Sequence, residues 1–224
     1  MLLPITEAVH ASLFGSLQQD ASFVKVESLD NRMVFVRRDA VSDIYFSSEA
    51  YDDHGPDVER YDEVLGIFPD DDFWRIAEAF DCLSEVEDEF APELLADAKS
   101  KLTLTDAELD ELVANGSVKP QDRQKVRAKV IDRTDKFKAL ACNVTWQFGN
   151  CRREILAPDN RELFERFGWL ETDPDALERP ILLRTEGYHR TVVINPSALD
   201  YICIPAHKFR EGEGQEAEAE IEAL

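Results

Sequence analysis

The sequence predicts an α+β fold: an N-terminal helix plus a small antiparallel sheet, a central helical region, and a C-terminal β-hairpin expected to complete the sheet. Short β-branched and aromatic runs bounded by turn formers occur near both ends of the chain, from Phe23 to Phe46 and from Ile181 to Ile204. Between them, apolar residues recur at helical spacing behind recognisable caps. Charge marks the middle as a separate region. Residues Asp39 to Val118 hold 24 Asp and Glu against 4 Lys and Arg, a net of −20, whereas Lys119 to Arg153 hold 10 Lys and Arg against 3 Asp, a net of +7.

These patterns divide the chain into residues 1–50, a helix and antiparallel strands; 51–153, an acidic and then basic helical region; 154–210, a short helix and hairpin packed with 1–50 as one domain; and 211–224, an acidic flexible tail. An apolar content of 44% with 13 Phe and 3 Trp is enough for a real core. The formal charge of −22 argues against binding phosphate backbones or anionic lipid over most of the surface. Partners are expected to be cationic or neutral. Cys82, Cys142, Cys151 and Cys203 form no dense framework and read as reduced thiols. The start Met1-Leu2-Leu3-Pro4 lacks a basic, apolar leader, and no run reaches the roughly 18 apolar residues of a membrane span. A soluble, cytoplasmic protein is expected.

In order along the chain, Ile5, Val9, Leu13 and Leu17 recur at steps of four, with Phe14 beside them, and predict an opening helix. Two or three antiparallel strands are predicted from the runs Phe23 to Glu27, Met33 to Val36 and Asp43 to Phe46. The triplet Asp70-Asp71-Asp72 stands where carboxylates meet the positive end of a helix, and that helix, carrying Phe73, Trp74, Ile76, Ala77 and Phe80, is expected to reach about Glu89. Pro92 starts another helix. Thr105 and Glu108 form a capping box for a third, which ends at Asn115-Gly116.

Past Pro120, a long basic helix is expected within Lys119 to Arg153, with Trp146, Phe148 and Cys151 in a turn or strand containing Gly149-Asn150. Its apolar stripe is Val126, Val130, Phe137, Ala141 and Val144; Lys125, Lys129, Arg133 and Lys136 line a basic stripe beside it. Arg161 to Trp169 predicts a short helix closed by Gly168. Ile181 to Leu183 and Thr191 to Ile194 are strands joined across Glu186-Gly187-Tyr188, and Tyr201 to Ile204 is another strand. Glu211 to Leu224, with six Glu and no base, reads as a mobile tail.

The first candidate site is the acidic surface. The basic segment can neutralise at most 7 of the 20 excess charges beside it, so at least 13 are left over. Like charges held together repel over a Debye length of roughly 8 Å unless a partner is expected. Carboxylate rows can reproduce the charge spacing of duplex DNA. The residues named for this role are Asp52, Asp53, Asp57, Asp70, Asp71, Asp72, Glu85, Glu87, Asp88 and Glu89. The corresponding function is a non-enzymatic acidic interaction protein of phage or mobile-element type. It would bind a basic surface on a nucleic-acid-handling partner and inhibit it as a DNA mimic. A solvated acidic surface without a partner is the bland alternative.

The basic stripe is read as docking on its own acidic neighbour, because the field of the whole chain repels DNA and no helix-turn-helix pair is present. Divalent metal at Asp52, Asp53, His54 and Asp57 lacks the calcium-loop register. Zinc at Cys142, Cys151, Cys203 and His207 lacks the tight cysteine pairs of structural sites. Neither metal nor another cofactor is expected. Two further functions come from other classes: a structural or assembly subunit of a virion or larger complex, and a small-molecule enzyme using Arg184, Glu186, Tyr188, His189 and Arg190. No glycine-rich phosphate loop, G-x-S-x-G or H-E-x-x-H supports the enzyme.

Overall fold

Alternation of Phe23 with Val24, and of Met33 and Phe35 with Val34, forces each of these runs to offer an apolar side chain to both faces of a sheet. The structure, a computed structural model, describes residues 3–16, 21–42, 44, 69–185 and 190–222. Two units make up the chain: Met1–Phe68 with Asn143–Leu224, and Pro69–Cys142. In chain order the helices are α1 (Glu7–Ser16), α2 (Asp71–Glu78), α3 (Leu83–Val86), α4 (Pro92–Leu102), α5 (Asp106–Ala114), α6 (Arg123–Cys142), α7 (Asn160–Phe167) and α8 (Ala206–Glu222). The strands are β1 (Phe23–Ser28), β2 (Arg32–Arg37), β3 (Asn143–Phe148), β4 (Cys151–Leu156), β5 (Ile181–Thr185), β6 (Arg190–Ile194) and β7 (Tyr201–Pro205). The α+β class is as the sequence predicts.

In the first unit, five strands form an antiparallel sheet in the order β1-β2-β7-β3-β4. Strand β7 is central because Ile202 and Ile204 face one side and Cys203 the other, all buried. On the first side, Phe23, Phe35, Trp146, Ile202 and Ile204 pack with Leu163 and Phe167 of α7, Phe209 of α8, and Ile181, Leu183 and Ile194 of the β5–β6 pair. On the other, Val24, Val26, Val34 and Cys203 pack under Leu13 of α1, with Val9 alongside. Each fully buried large apolar side chain contributes roughly 1.5–3 kcal/mol, so this two-sided burial dominates the stability of the unit.

The hairpin departs from expectation in one respect: β5 and β6 form a separate two-stranded sheet. It is β7 that completes the main sheet. Side chains Leu182 and Val193 lie opposite each other on the pair and stay exposed, so only one of its faces is covered.

Turns are set by local chemistry. Asn31 ends the three-residue β1–β2 loop in the left-handed region, φ 61°, a conformation Asn tolerates better than most residues. Gly149, φ 55°, holds the first central position of the two-residue β3–β4 turn.

The tail expected at 211–224 is helical through Glu222. Glu and Ala are strong helix formers, and tertiary contacts anchor the start of α8. Phe209 is in the core, the Asn160 amide bonds Glu211, and Arg161 Nε meets Glu216 Oε2 at 2.9 Å. Composition suggests disorder there because it omits those anchors.

In the second unit, Phe73, Trp74 and Phe137 form an aromatic cluster with ring centroids 5.1–5.6 Å apart. Ile76, Ala77, Ala98, Leu102, Leu109 and Ala141 are buried as well. Thr134 donates its hydroxyl to the Leu102 carbonyl at 2.8 Å, satisfying a buried polar group between α6 and α4. The helix expected to reach about Glu89 is broken: α2 ends at Glu78, a 3₁₀ turn follows at Phe80–Cys82, and α3 is one short turn. The basic helix ends at Cys142, before the Val144 included in its predicted stripe, because the β-branched run there pairs as strand β3, and the turn or strand expected around Gly149-Asn150 is the β3–β4 hairpin. The second unit ends with this helix, at Cys142.

Leu17, most of the strand expected at Asp43 to Phe46, and the acidic stretch 51–68 lie outside the described residues. Among the described residues, no helix is long and apolar enough to cross a membrane.

Candidate interaction surface

The acidic residues named from the sequence divide into three groups. Asp52, Asp53 and Asp57 lie outside the described residues. A second group has work to do inside the second unit. Asp70 is the N-cap of α2, accepting the Phe73 N–H at 3.1 Å, and Asp71 and Asp72 occupy the first turn, where the helix dipole favours them. Arg75, one turn on, lies 3.8 Å from Asp72, bonds Glu89, and stacks over the Phe90 ring at 4.9 Å. Asp72 and Glu89 are thereby matched to a cation.

Glu85, Glu87 and Asp88 form the third group. They are exposed in and just after α3, and none of their carboxylates makes an ion pair or hydrogen bond among the described residues. Helix α3 is a single turn, and a 3₁₀ turn precedes it, so these carboxylates sit on a short irregular segment instead of a long rigid row.

Basic side chains of α6 reach the acidic residues of the same unit, as the sequence predicts, but through different positions. Arg123 bonds Asp110 and lies 3.7 Å from Asp106, which Arg127 meets at 2.9 Å. Lys138 meets Asp81 at 2.8 Å and lies over the Phe80 ring at 4.6 Å. Lys125 and Lys129 of the predicted stripe are exposed and form no ion pair among the described residues, while Lys136 meets Asp132 on its own helix at 3.3 Å. Exposed pairs of this kind contribute up to about 1 kcal/mol each, so they orient side chains more than they hold the unit together.

Boundaries change the charge account. Residues 69–142 carry 18 Asp and Glu against 11 Lys and Arg, a net of −7. Eight of the 24 carboxylates in the acidic block, Asp43 to Glu63, lie outside the described residues. A second acidic surface, absent from the predicted site, belongs to the first unit: Glu213, Glu218, Glu220 and Glu222 of α8 are exposed and unpaired among the described residues. Its signal is present in the six terminal Glu, but composition alone reads them as a tail.

Chemistry elsewhere is muted. Among the described residues no three His, Cys, Asp or Glu converge as a metal site. Cys203 is buried beneath α1, where burial pushes its thiol up to about 11, and His207 is committed to Asn31. Of the residues proposed for an enzyme site, Glu186, Tyr188 and His189 lie outside the described residues. No protein-family model, curated protein or solved structure matches this chain.

Proposed function

We propose that this chain is a non-enzymatic interaction protein that uses exposed, unneutralised carboxylates to bind a cationic surface on a partner protein. The observation that carries the reading is the Glu85, Glu87 and Asp88 cluster. It stays unpaired in a unit whose Arg75, Arg123, Arg127 and Lys138 neutralise other carboxylates. Three like charges within four residues repel at distances well inside a Debye length of roughly 8 Å, and cations on a partner relieve that repulsion. The outer Glu residues of α8 offer the same chemistry on the first unit.

Nucleic-acid-handling proteins are the partner class we favour, because their surfaces are built to meet about one negative charge per 1.7 Å of duplex. Occupying such a surface blocks it. The four cysteines are free, which fits a reducing cytoplasm.

Capture from a cell lysate over a salt series tests the reading. Basic proteins are expected to bind at low salt and to leave as salt rises. The triple variant Glu85→Lys, Glu87→Lys and Asp88→Lys is expected to lose them while its far-UV circular dichroism stays unchanged. An unchanged captured set in that variant removes the proposed role.

A further inference from the structure

Strand β4 ends the five-stranded sheet, and among the described residues nothing pairs with its outer edge. The opposite end is partly occupied: beside β1, the Leu29 N–H donates to the Pro4 carbonyl at 2.7 Å, and Lys25 meets Glu171 at 2.7 Å. An open edge presents unpaired backbone groups and is a template for another strand. On β4 those groups belong to particular residues. The pair Phe148–Cys151 flanks a two-residue turn and is hydrogen-bonded, and bonding alternates along an antiparallel ladder. The N–H and C=O groups of Arg152, Glu154 and Leu156 therefore point away from β3. Arg152, Arg153, Glu154 and Leu156 are also exposed.

We propose that β4 pairs antiparallel with β4 of a second copy of this chain, about a two-fold axis at Arg153, giving a continuous ten-stranded sheet. In a two-fold pair, opposed residues lie on the same face, so the axis must pass through a residue. An axis at Arg152 opposes Arg152 to itself and Cys151 to Arg153. One at Glu154 opposes Glu154 to itself and Arg152 to Leu156. Only the axis at Arg153 sets Arg152 against Glu154 twice and Cys151 against Ile155 twice, matching charge with charge and apolar with apolar.

The same register aligns the outward backbone groups of Arg152 with those of Glu154. Within one chain Arg152 and Glu154 are only loosely paired at 3.9 Å, so the guanidinium is available to a facing carboxylate. Arg153 meets its own copy on the other face. Its guanidinium is drawn back over the Phe148 ring, 6.0 Å from the centroid, which separates the two cations. Two chains of charge −22 repel, and six residues per strand bury little area, so the dimer is weak and is seen at moderate ionic strength. The inference is independent of the acidic-surface reading, since neither Arg152 nor Glu154 belongs to those clusters.

Sedimentation equilibrium of the full chain, up to millimolar concentration, is expected to show a reversible monomer–dimer equilibrium. Arg152→Glu and Glu154→Arg are each expected to weaken it by about tenfold or more, as each sets like charges opposite one another. Mixed in equal amounts, the two variants are expected to form a heterodimer, because both carboxylates of the first variant then face the guanidinium groups of the second. Both changes are at exposed positions, and circular dichroism verifies folding. A wild-type chain that stays monomeric, single variants that dimerise like wild type, or a mixture that stays monomeric would each overturn the proposal.

Discussion

The side-chain amide nitrogen of Asn31 lies 2.9 Å from Nδ1 of His207, while its Oδ1 accepts the backbone N–H of His207 at 2.9 Å. Both residues are buried, and 176 positions separate them in the chain. The Asn31 carbonyl also accepts the Ala206 N–H at 3.0 Å, so the β1–β2 turn supplies a cap for α8 from outside the helix.

Removing the amide leaves two buried groups of His207 without this partner, which costs about 1–3 kcal/mol. Asn31→Gly keeps the left-handed backbone and tests the amide alone. Asn31→Ala adds roughly 1–2 kcal/mol for placing an alanine at positive φ. Urea unfolding midpoints are expected to fall in the order wild type, Gly, Ala. A Gly variant as stable as wild type contradicts the capping role.

Local signals make much of the fold legible, and distant partners account for what is not. The Thr105–Glu108 capping box and Asn115-Gly116 end mark α5 because every group in them lies within a dozen residues. Nothing near Asn31 announces His207, and nothing in six Glu announces that Phe209 and Asn160 hold α8 in place. The charge inversion at residue 118 points to internal pairing, yet Arg123 and Arg127 make the pairs in place of Lys125 and Lys129. Helical spacing identifies neighbours along one helix, and cannot say which flank faces α5. The acidic site suffers most, since caps and cations close at hand absorb Asp70, Asp72 and Glu89.

The capping box gives a pH dependence. The Thr105 backbone N–H and hydroxyl both donate to Glu108, each at 2.7 Å, and hold its carboxyl below its ordinary value of 4.5. A folded value below the unfolded one stabilises the protein above the unfolded value, and this contribution is lost as pH falls through the folded value. Glu108→Gln is therefore expected to lower the unfolding midpoint at neutral pH and to match wild type at acid pH. Equal differences at both pH values contradict the assignment.

Burial raises the Cys203 thiol from 9.0 to about 11. Its folded value exceeds its unfolded one, so the associated stability is complete below about pH 9 and is lost as pH rises towards 11. At neutral pH the thiolate fraction is about a hundredfold below that of an ordinary cysteine, and access is closed as well. A thiol reagent is expected to label exposed Cys82 quickly, and Cys203 only at the rate of local opening. Labelling of Cys203 as fast as Cys82 in the native state contradicts its placement beneath α1.

Two glycines of α8 provide opposite expectations from the same substitution. Alanine is favoured over glycine in a helix by about 1 kcal/mol, so both changes improve intrinsic propensity. At Gly214 a Cβ meets nothing within 4 Å, and Gly214→Ala is expected to stabilise by about 0.5–1 kcal/mol. At Gly212 a Cβ would collide with the Asn160 carbonyl oxygen and crowd Cβ of Phe164, so α7 and α8 must separate. Phe164 and Phe209 pack across the same contact, with ring centroids 5.2 Å apart, and separation would loosen them too. Overpacking of this kind costs about 1–3 kcal/mol, enough to outweigh the propensity gain. Thermal unfolding is expected to place Gly214→Ala above wild type and Gly212→Ala below it. If both variants rise together, α8 does not pack on α7 through Gly212, and residues 211–222 behave as an independent helix.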